Sequence, residues 1–454
     1  MYFGNQKFLV AGLSRSGEGC VNFLLKRGAV VYAYDDVISD KVAQTMKVLQ
    51  GKGAIIVDAE RLTDAINICD ILVLSPGIPI DNQLAVSFRK QGKAILGEEE
   101  LASLYLRATA VAVTGTNGKT TTVSMLDEVF KSNGKNSVPC GNYGNPLINV
   151  VEDLTFEDFA IVEISSFQLE TLFSLRPHAA VILNITEDHL NRHYNMENYV
   201  YLKSKLIRTL RESEYAVLNY DDLRVRELAK YTRGKVVWIS ATERVDGAYV
   251  DSGTVCCNGN AYFTVDKMAV GGIHNVYNAL ACVAVSAVFG FDIYKTSQAL
   301  CSFKGVKHRI QLVGEVNGVD YVDDSKATNV DATIKAVDSI SKPMVLLLGG
   351  KDKGYDYSPL FKFLQNSRVA HAVIYGENRI KMMNAAIDTG YYGFSLCSDF
   401  GAAVRLANYV AKPGQSVLLS PASASFDEFA NFEDRGEKFC EFVDGLKNER
   451  AVAP

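Results

Sequence analysis

Residues 110–120 read Ala110-Val111-Ala112-Val113-Thr114-Gly115-Thr116-Asn117-Gly118-Lys119-Thr120: an apolar strand enters a glycine-bearing turn, and a helical stretch runs on to Asn133-Gly134. Glycines at such a turn let backbone N–H groups face inward around phosphate oxygens, and the helix N-terminus adds a partial positive charge. In this pattern Lys119 reaches the β- and γ-phosphates and the Thr120 hydroxyl meets Mg²⁺. The general form G-x-x-x-x-G-K-[ST] wants a glycine where Val113 stands. The reading therefore rests on Gly118-Lys119-Thr120 at the strand–helix joint, against the plainer alternative of a connection with an incidental lysine. A buried strand feeding such a loop predicts a parallel sheet with helices on both faces.

The same rhythm recurs on either side. Upstream, a strand at Lys7–Ala11 meets Gly12-Leu13-Ser14-Arg15-Ser16-Gly17, then a helical stretch to Arg27 closed by Gly28, the position a glycine takes after a helix. A strand at Ala29–Tyr34 ends on Asp35-Asp36, and the run Asp70–Leu74 stops at Ser75-Pro76-Gly77. Downstream of the phosphate loop, buried-type strands are expected at Phe159–Ile164, Ala179–Leu183 and Tyr215–Leu218, and a small antiparallel appendage between Lys235 and Val270. A third segment opens near Lys304–Arg309, with strands at Val319–Val322, Pro343–Leu348, His371–Ile374 and Ser416–Leu419. The chain has 454 residues, and at roughly 150 residues per domain it should hold three. The expected division is 1–100, 101–305 and 306–454, all α/β.

Totals narrow the function classes. Hydrophobic content of 48% with 22% charged residues is that of an ordinary globular protein. A net charge of -5 and pI near 5.8 give no support to a nucleic-acid partner. No stretch reaches the roughly 18 apolar residues of a membrane span, and the short N-terminal apolar run is no signal-peptide core, so the expected setting is the cytosol with no membrane partner. The nine cysteines are scattered without a C-x-x-C and read as reduced, mostly buried thiols.

A triphosphate with Mg²⁺ needs hard oxygen ligands. Glu163 ends the strand Phe159–Ile164 at the carboxyl edge, where ligands collect in parallel sheets, and Ser165-Ser166-Phe167-Gln168 follows it. Asn184-Ile185-Thr186-Glu187-Asp188-His189 ends the next strand. A strand-end glutamate can simply be solvated, and a histidine there is as often structural as a ligand.

Taken in order, Gly115–Thr120, Glu163 and His189 resemble the ATP-binding core of the Mur ligases and folylpolyglutamate synthases. Four longer strings narrow the resemblance to the D-glutamate-adding branch of the Mur ligases: Glu163–Glu170, Asn184–His189, Asp324-Ser325-Lys326-Ala327-Thr328-Asn329, and Leu419–Asp427 running on to Asn431–Gly436. The resemblance spans nearly the whole chain. It implies a Rossmann-like domain for a UDP-sugar, a central P-loop ATPase-type domain, and a Rossmann-like C-terminal domain that helps bind the amino acid. The implied reaction activates the carboxylate of UDP-N-acetylmuramoyl-L-alanine (UDP-MurNAc-L-Ala) as an acyl phosphate, which the amine of D-glutamate then attacks. The implied cofactors are ATP and two Mg²⁺ ions; the partners are those small molecules, and the chain acts as a monomer.

Residue by residue, the resemblance assigns Gly115, Thr116, Asn117, Gly118, Lys119, Thr120 and Thr121 to the phosphates. Thr120 and Glu163 take the first metal; His189 and a lysine carbamylated by CO₂ take the second. Lys205 is expected to be that lysine because Leu206 follows it, with Lys203 as the alternative. Asn278, Arg309 and Asp324 fall to the nucleotide. Ser14, Arg15, Ser75 and Gly77 fall to the UDP-sugar, and Asn142, Ser165, Gln168 and His189 to the reacting end of the substrate. Lys326, Thr328, Lys353 (or Lys351), Ser425 and Phe432 fall to D-glutamate. Where family members carry an arginine for uracil, this chain reads Asp35-Asp36-Val37-Ile38.

Three rivals stand beside this reading. Gly12-x-x-x-x-Gly17 with Asp35 hints at a dinucleotide site, but Ser14 sits where the middle glycine belongs and nothing after residue 100 is explained. A sister amide ligase of the same superfamily, including one using L-glutamate, shares the core. A non-catalytic nucleotide-binding scaffold would not need Lys119, Glu163, His189 and a nearby lysine together.

Overall fold

The computed structural model describes residues 3, 4, 6–352 and 354–452. Its contacts fall into two compact units, one on each side of the Phe303–Lys304 bond. The first unit holds two sheets and the second holds one.

The first sheet is parallel throughout, in the order β3-β2-β1-β4-β5, built from β1 (Lys7–Ala11), β2 (Val30–Tyr34), β3 (Ile55–Ile56), β4 (Ile71–Leu74) and β5 (Ala94–Gly97). The chain reverses its direction of winding between β1 and β4, so the loops after these strands, at Gly12 and Ser75, border the crevice where such sheets bind ligands.

The second sheet runs β14-β13-β12-β11-β10-β9-β6-β8-β7. Its strands are β6 (Thr109–Thr114), β7 (Ser137–Gly141), β8 (Phe159–Glu163), β9 (Ala179–Ile182), β10 (Tyr215–Asn219), β11 (Lys235–Ser240), β12 (Gly247–Asp251), β13 (Thr254–Cys257) and β14 (Asn260–Thr264). β6, β8 and β9 are almost wholly buried, as continuous Val, Ala and Ile runs covered on both faces should be. The expected separate antiparallel appendage is corrected here. β11 pairs with β10 and β12 with β11, both parallel, and only the pairings of β13, with β12 and with β14, are antiparallel. The region is the far edge of the central sheet, and its alternating pattern reflects one covered face.

The third sheet, in the second unit, runs β15-β16-β20-β17-β18-β19. It comprises β15 (Gln311–Val316), β16 (Val319–Asp323), β17 (Met344–Gly349), β18 (Val369–Tyr375), β19 (Phe394–Leu396) and β20 (Ser416–Leu419). All its pairings are parallel except β15 with β16. Each face of this sheet carries its own apolar cluster.

Helix starts follow side-chain chemistry. Ser39, Asn82, Asn195, Asp222, Asp292, Asn329 and Asp399 each accept a backbone N–H of the first turn, satisfying donors that would otherwise be orphaned. The helix Glu98–Ser103 joins the two sheets of the first unit with three consecutive buried carboxylates. Glu98 accepts from Ile148 N, Glu99 from Gln168 Nε2, and Glu100 from Phe173 N and Ser174 N. Burial raises the pKa of both Glu98 and Glu99, and for Glu99 the neighbouring Glu98 raises it further, as expected of a pair sharing a proton.

Candidate active site

The phosphate loop lies between β6 and the helix Lys119–Ser132. Gly118 precedes that helix with φ +86°, and a Cβ there would come within 2.4 Å of Asn278 Oδ1, so the turn admits only glycine without rearrangement. Lys119 Nζ donates to Gly115 O at 3.0 Å and Thr116 O at 2.9 Å. The end of β9 braces the loop. Asn184 Oδ1 accepts from Asn117 N at 2.8 Å, Asn184 O from Thr116 N at 2.9 Å, and Thr116 Oγ1 from Thr186 N at 3.0 Å. Tyr199 OH lies 3.1 Å from Thr116 Oγ1. Asn184 and Tyr199 were not singled out from sequence. Asn184 opens a quoted string, but a strand-end amide has no motif of its own.

Glu163 sits in register with Val113 of β6 and is 2% exposed. Its Oε1 accepts from Asn142 Nδ2 at 2.8 Å, while Oε2 is buried with no hydrogen-bond partner. A buried carboxylate oxygen left unpaired is costly, and a divalent cation would satisfy it. The exposed Asn142 thus orients the candidate metal ligand. His189 follows β9 at φ +53° with its ring 4.8 Å from that of Phe167. Burial, followed by the charges of Lys119, Lys203 and Arg192, lowers its pKa, and Asp188 opposes them. The shift favours the neutral imidazole, the form that ligates metals.

The helix Met196–Arg208 carries both candidate lysines. Lys205 Nζ donates to Leu169 O and, at 3.3 Å, to Glu170 O, and lies 4.0 Å from the Phe173 ring centroid. Lys203 is the residue at the phosphate loop: 1% exposed, it donates to Gly115 O at 2.8 Å. Burial, and then the charge of Lys119, hold its pKa well below the usual lysine value against the pull of Asp188. Helical phase is the reason. Tyr199, Lys203, Leu206 and Ile207 are all buried and share one helical stripe, whereas a residue two positions from Lys203 points away from it.

Gln168 faces inward. It is 4% exposed, its Oε1 accepts from Ser165 N at 2.8 Å and Ser165 Oγ at 2.9 Å, and its Nε2 donates to Glu99. One end of the amide shapes the Ser165 loop and the other ties it to Glu99. Asn278, 3% exposed, is bonded to Thr122 Oγ1 and Asn275 Oδ1 and packs beneath the phosphate loop. In the first sheet, Ser75 donates to Gly12 O at 2.8 Å and closes the crevice between β1 and β4. Ser14 and Arg15 are exposed at the start of the helix Arg15–Lys26, and Gly77 is exposed beside Ser75. Asp35 accepts from Leu13 N at 2.7 Å and Val37 N at 3.0 Å, so this carboxylate supports the glycine turn.

In the second unit, the carboxyl ends of β16, β17 and β20 gather the remaining candidates. Asp324 accepts from Ser420 Oγ at 2.7 Å and Ile310 N at 3.2 Å, and the Arg309 charge acts on its carboxyl. Lys326 Nζ lies 5.7 Å from the Phe432 ring centroid. Thr328 is half-buried and Ser425 buried. Arg435, missed from sequence, is wholly buried and donates to Ser325 Oγ, Ser325 O, Ser423 O and Ala424 O at 2.8–3.3 Å. It therefore fixes the loops of Lys326 and Ser425 together. Lys351 pairs with Glu377 at 2.6 Å; Lys353 lies outside the described residues. His308, Asp323 and Cys440 also converge, but His308 Nδ1 lies 2.6 Å from Asp323 Oδ2, a hydrogen-bonded pair.

Family models match along the chain: a Mur ligase MurD-like N-terminal domain at residues 6–97, the Mur ligase middle domain at 113–286, and the Mur ligase glutamate ligase domain at 308–423. A UDP-N-acetylmuramoylalanine--D-glutamate ligase from Alkaliphilus metalliredigens is 37% identical, over 98% of this chain and 100% of its own length. The protein so named from Pelotomaculum thermopropionicum is 38% identical over 98% and 99%. Among solved structures, the UDP-N-acetylmuramate-alanine ligase MurC of Thermotoga maritima aligns with a TM-score of 0.61 at 19% identity, covering 97% of this chain and 99% of that one. MurF from Acinetobacter baumannii gives 0.59 at 17% identity over 92% and 91%.

Proposed function

The chain belongs to the Mur ligase family, and from that premise we propose that it joins D-glutamate to UDP-MurNAc-L-Ala at the expense of ATP, in peptidoglycan precursor synthesis. Relatives that bear this activity in their names and match over nearly their full length support the choice of substrates. The observation that carries the chemistry is the unpaired, buried Oε2 of Glu163 beside the phosphate loop. The donor set would suit Mg²⁺, with Thr120 and Glu163 for one ion and His189 with the carbamate oxygens of a CO₂-modified Lys203 for a second. Mg²⁺ supplies positive charge to the phosphate oxygens.

In this reading the substrate carboxylate attacks the γ-phosphate of ATP, releasing ADP and forming an acyl phosphate. The amine of D-glutamate attacks the carbonyl, loses its proton, and phosphate leaves. Negative charge gathers in both steps, and Lys119 and the Gly115–Thr120 backbone are the chain's own donors toward it. Burial, and then the charge of Lys119, lower the Lys203 pKa well below the usual lysine value, which favours the neutral amine. Its nitrogen bonds the carbon of CO₂ and one proton leaves, giving an anionic two-oxygen group. Ser14, Arg15, Ser75 and Gly77 border the UDP-sugar, and Asn142 and Ser165 its reacting end. Asn278, Arg309 and Asp324 serve the nucleotide, and Lys326, Thr328, Lys353, Ser425 and Phe432 the amino acid. The enzyme is read as a cytosolic monomer.

Phosphate release from MgATP, with UDP-MurNAc-L-Ala and D-glutamate added singly and together, tests the proposal. Release is expected only with both, and L-glutamate should be inert. Release independent of the UDP-sugar, or with another amino acid, would overturn the substrate choice.

A further inference from the structure

We propose that Arg192 is a positioning residue of this site, clamping the loop after β4 to the short helix that begins beside His189. The proposal rests on the assignment above of the Ser75–Gly77 loop to the UDP-sugar and of His189 to a metal ion.

Arg192 lies in the helix Leu190–His193, one turn from His189. Its guanidinium donates to three successive carbonyls of the first-sheet loop, Pro76 O at 3.4 Å, Gly77 O at 3.3 Å and Ile78 O at 3.0 Å. The same group pairs through two nitrogens with Glu170, Nε to Oε1 at 3.0 Å and Nη2 to Oε2 at 2.7 Å, and its carbon lies 4.9 Å from the Phe167 ring centroid. The side chains of Arg192 and Glu170 are only 13% and 8% exposed. Glu170 compensates the partly desolvated cation, and the planar fork spans carboxylate and carbonyls at once, which the single ammonium of a lysine cannot do.

Glu170 is itself held. Lys205 donates to its carbonyl, and His193 Nδ1 lies 3.6 Å from Oε1. His193 Nε2 lies 2.9 Å from Ser166 Oγ. Three segments therefore meet at one guanidinium: the loop after β4, the Ser165–Glu170 loop after β8, and the helix after His189. That helix is flanked by His189 at φ +53° and Tyr194 at φ +69°, conformations that non-glycine residues keep only when their surroundings impose them. Arg192 is the tether that imposes them, and through it a UDP-sugar in the first-sheet loop bears on where His189 stands.

The test uses the full-length chain with Arg192→Lys and Arg192→Ala. The expected result in both is a KM for UDP-MurNAc-L-Ala raised about tenfold or more, as for loss of charge-assisted hydrogen bonds, and a severalfold higher Mg²⁺ concentration for half-maximal rate. The affinity for MgADP and the KM for D-glutamate should stay within about twofold of wild type. Should Arg192→Ala fail to fold, Arg192→Lys decides. An unchanged UDP-sugar KM and Mg²⁺ requirement in Arg192→Lys would overturn the clamp. So would a comparable weakening of all four, UDP-sugar, Mg²⁺, MgADP and D-glutamate alike, together with a lowered melting temperature, the mark of a merely structural arginine. A wild-type protein inert toward the UDP-sugar would instead overturn the function proposed above, and this coupling with it.

Discussion

Lys203 combines two properties that seldom meet in one lysine: it is almost fully buried, and its ammonium would sit in the field of Lys119. Both favour the neutral amine, and a neutral amine is the form that captures CO₂. Lys203→Ala should lower turnover by about a hundredfold or more, a loss typical of removing a group that stabilises transition-state charge. Lys205→Ala should cost far less, since its nitrogen is spent on the carbonyls of Leu169 and Glu170. A carbamate signal from ¹³C-bicarbonate, seen by NMR in wild type and Lys205→Ala but lost in Lys203→Ala, would settle which lysine reacts. The reverse pattern would restore Lys205. At this scale the sequence points to candidates wherever chemistry is written in a local string, as at Gly118-Lys119-Thr120, Glu163 and His189. It was less legible where burial decides. Lys203 and Lys205 differ by helical phase, and that phase could have been read from Tyr199, Leu206 and Ile207. Gln168 looked like a polar group at the sheet edge, and only the buried Glu99 explains why it turns inward.

Among elements, the turn into the helix Lys119–Ser132 is the least tolerant. Gly118→Ala would put a methyl at φ +86° and 2.4 Å from Asn278 Oδ1. The left-handed conformation alone costs about 1–2 kcal/mol, and Asn278 must move as well. Reduced thermal stability and at least tenfold weaker MgADP binding by calorimetry are expected; unchanged binding would show that the loop adapts. At the end of β16, burial pushes the Asp324 carboxyl up to about 7, against the Ser420 hydroxyl, Arg309 and the Ile310 N–H, with Asp323 adding to the rise. An unfolded aspartate titrates near ~3.9, so folding favours the protonated form. Its stability contribution is complete below that unfolded value and is lost as pH climbs through about 7. The second unit should therefore be less stable at pH ~8 than at pH ~5, by a few kcal/mol at most, and Asp324→Asn should flatten that slope in calorimetry. An identical slope in the variant would assign the dependence elsewhere. The strands most legible in sequence were the doubly covered ones, β6, β8, β9 and β17, because burial on both faces writes an unbroken apolar run. β13 and β14 were expected as an appendage because their alternation says only that one face is covered, not which sheet they extend.

For the whole molecule, the strand–turn rhythm resuming near residue 305 was enough to expect a further domain, and the contacts do separate on either side of the Phe303–Lys304 bond. Sequence could not convey that the first two sheets share one apolar cluster, which runs from Phe8 and Val10 through Leu101 and Ala110 to Leu206. Side chains far apart in sequence build that cluster, and no local pattern records their pairing. Lys119, Glu163, His189 and Lys203 lie in the first unit, whereas Arg309, Lys326 and Ser425 lie in the second, which has apolar clusters of its own. A fragment of residues 1–303 should therefore unfold cooperatively and bind MgADP, and a fragment of residues 304–454 should also unfold cooperatively by itself. Neither fragment, given UDP-MurNAc-L-Ala, D-glutamate and MgATP, should release phosphate at more than about a thousandth of the intact rate, because aligning the reacting groups supplies several kcal/mol of the barrier. Calorimetry of each fragment checks the first expectation and phosphate release the second. Turnover by residues 1–303 alone would mean that the amino acid is held without Lys326 and Ser425, and would move the D-glutamate site into the first unit.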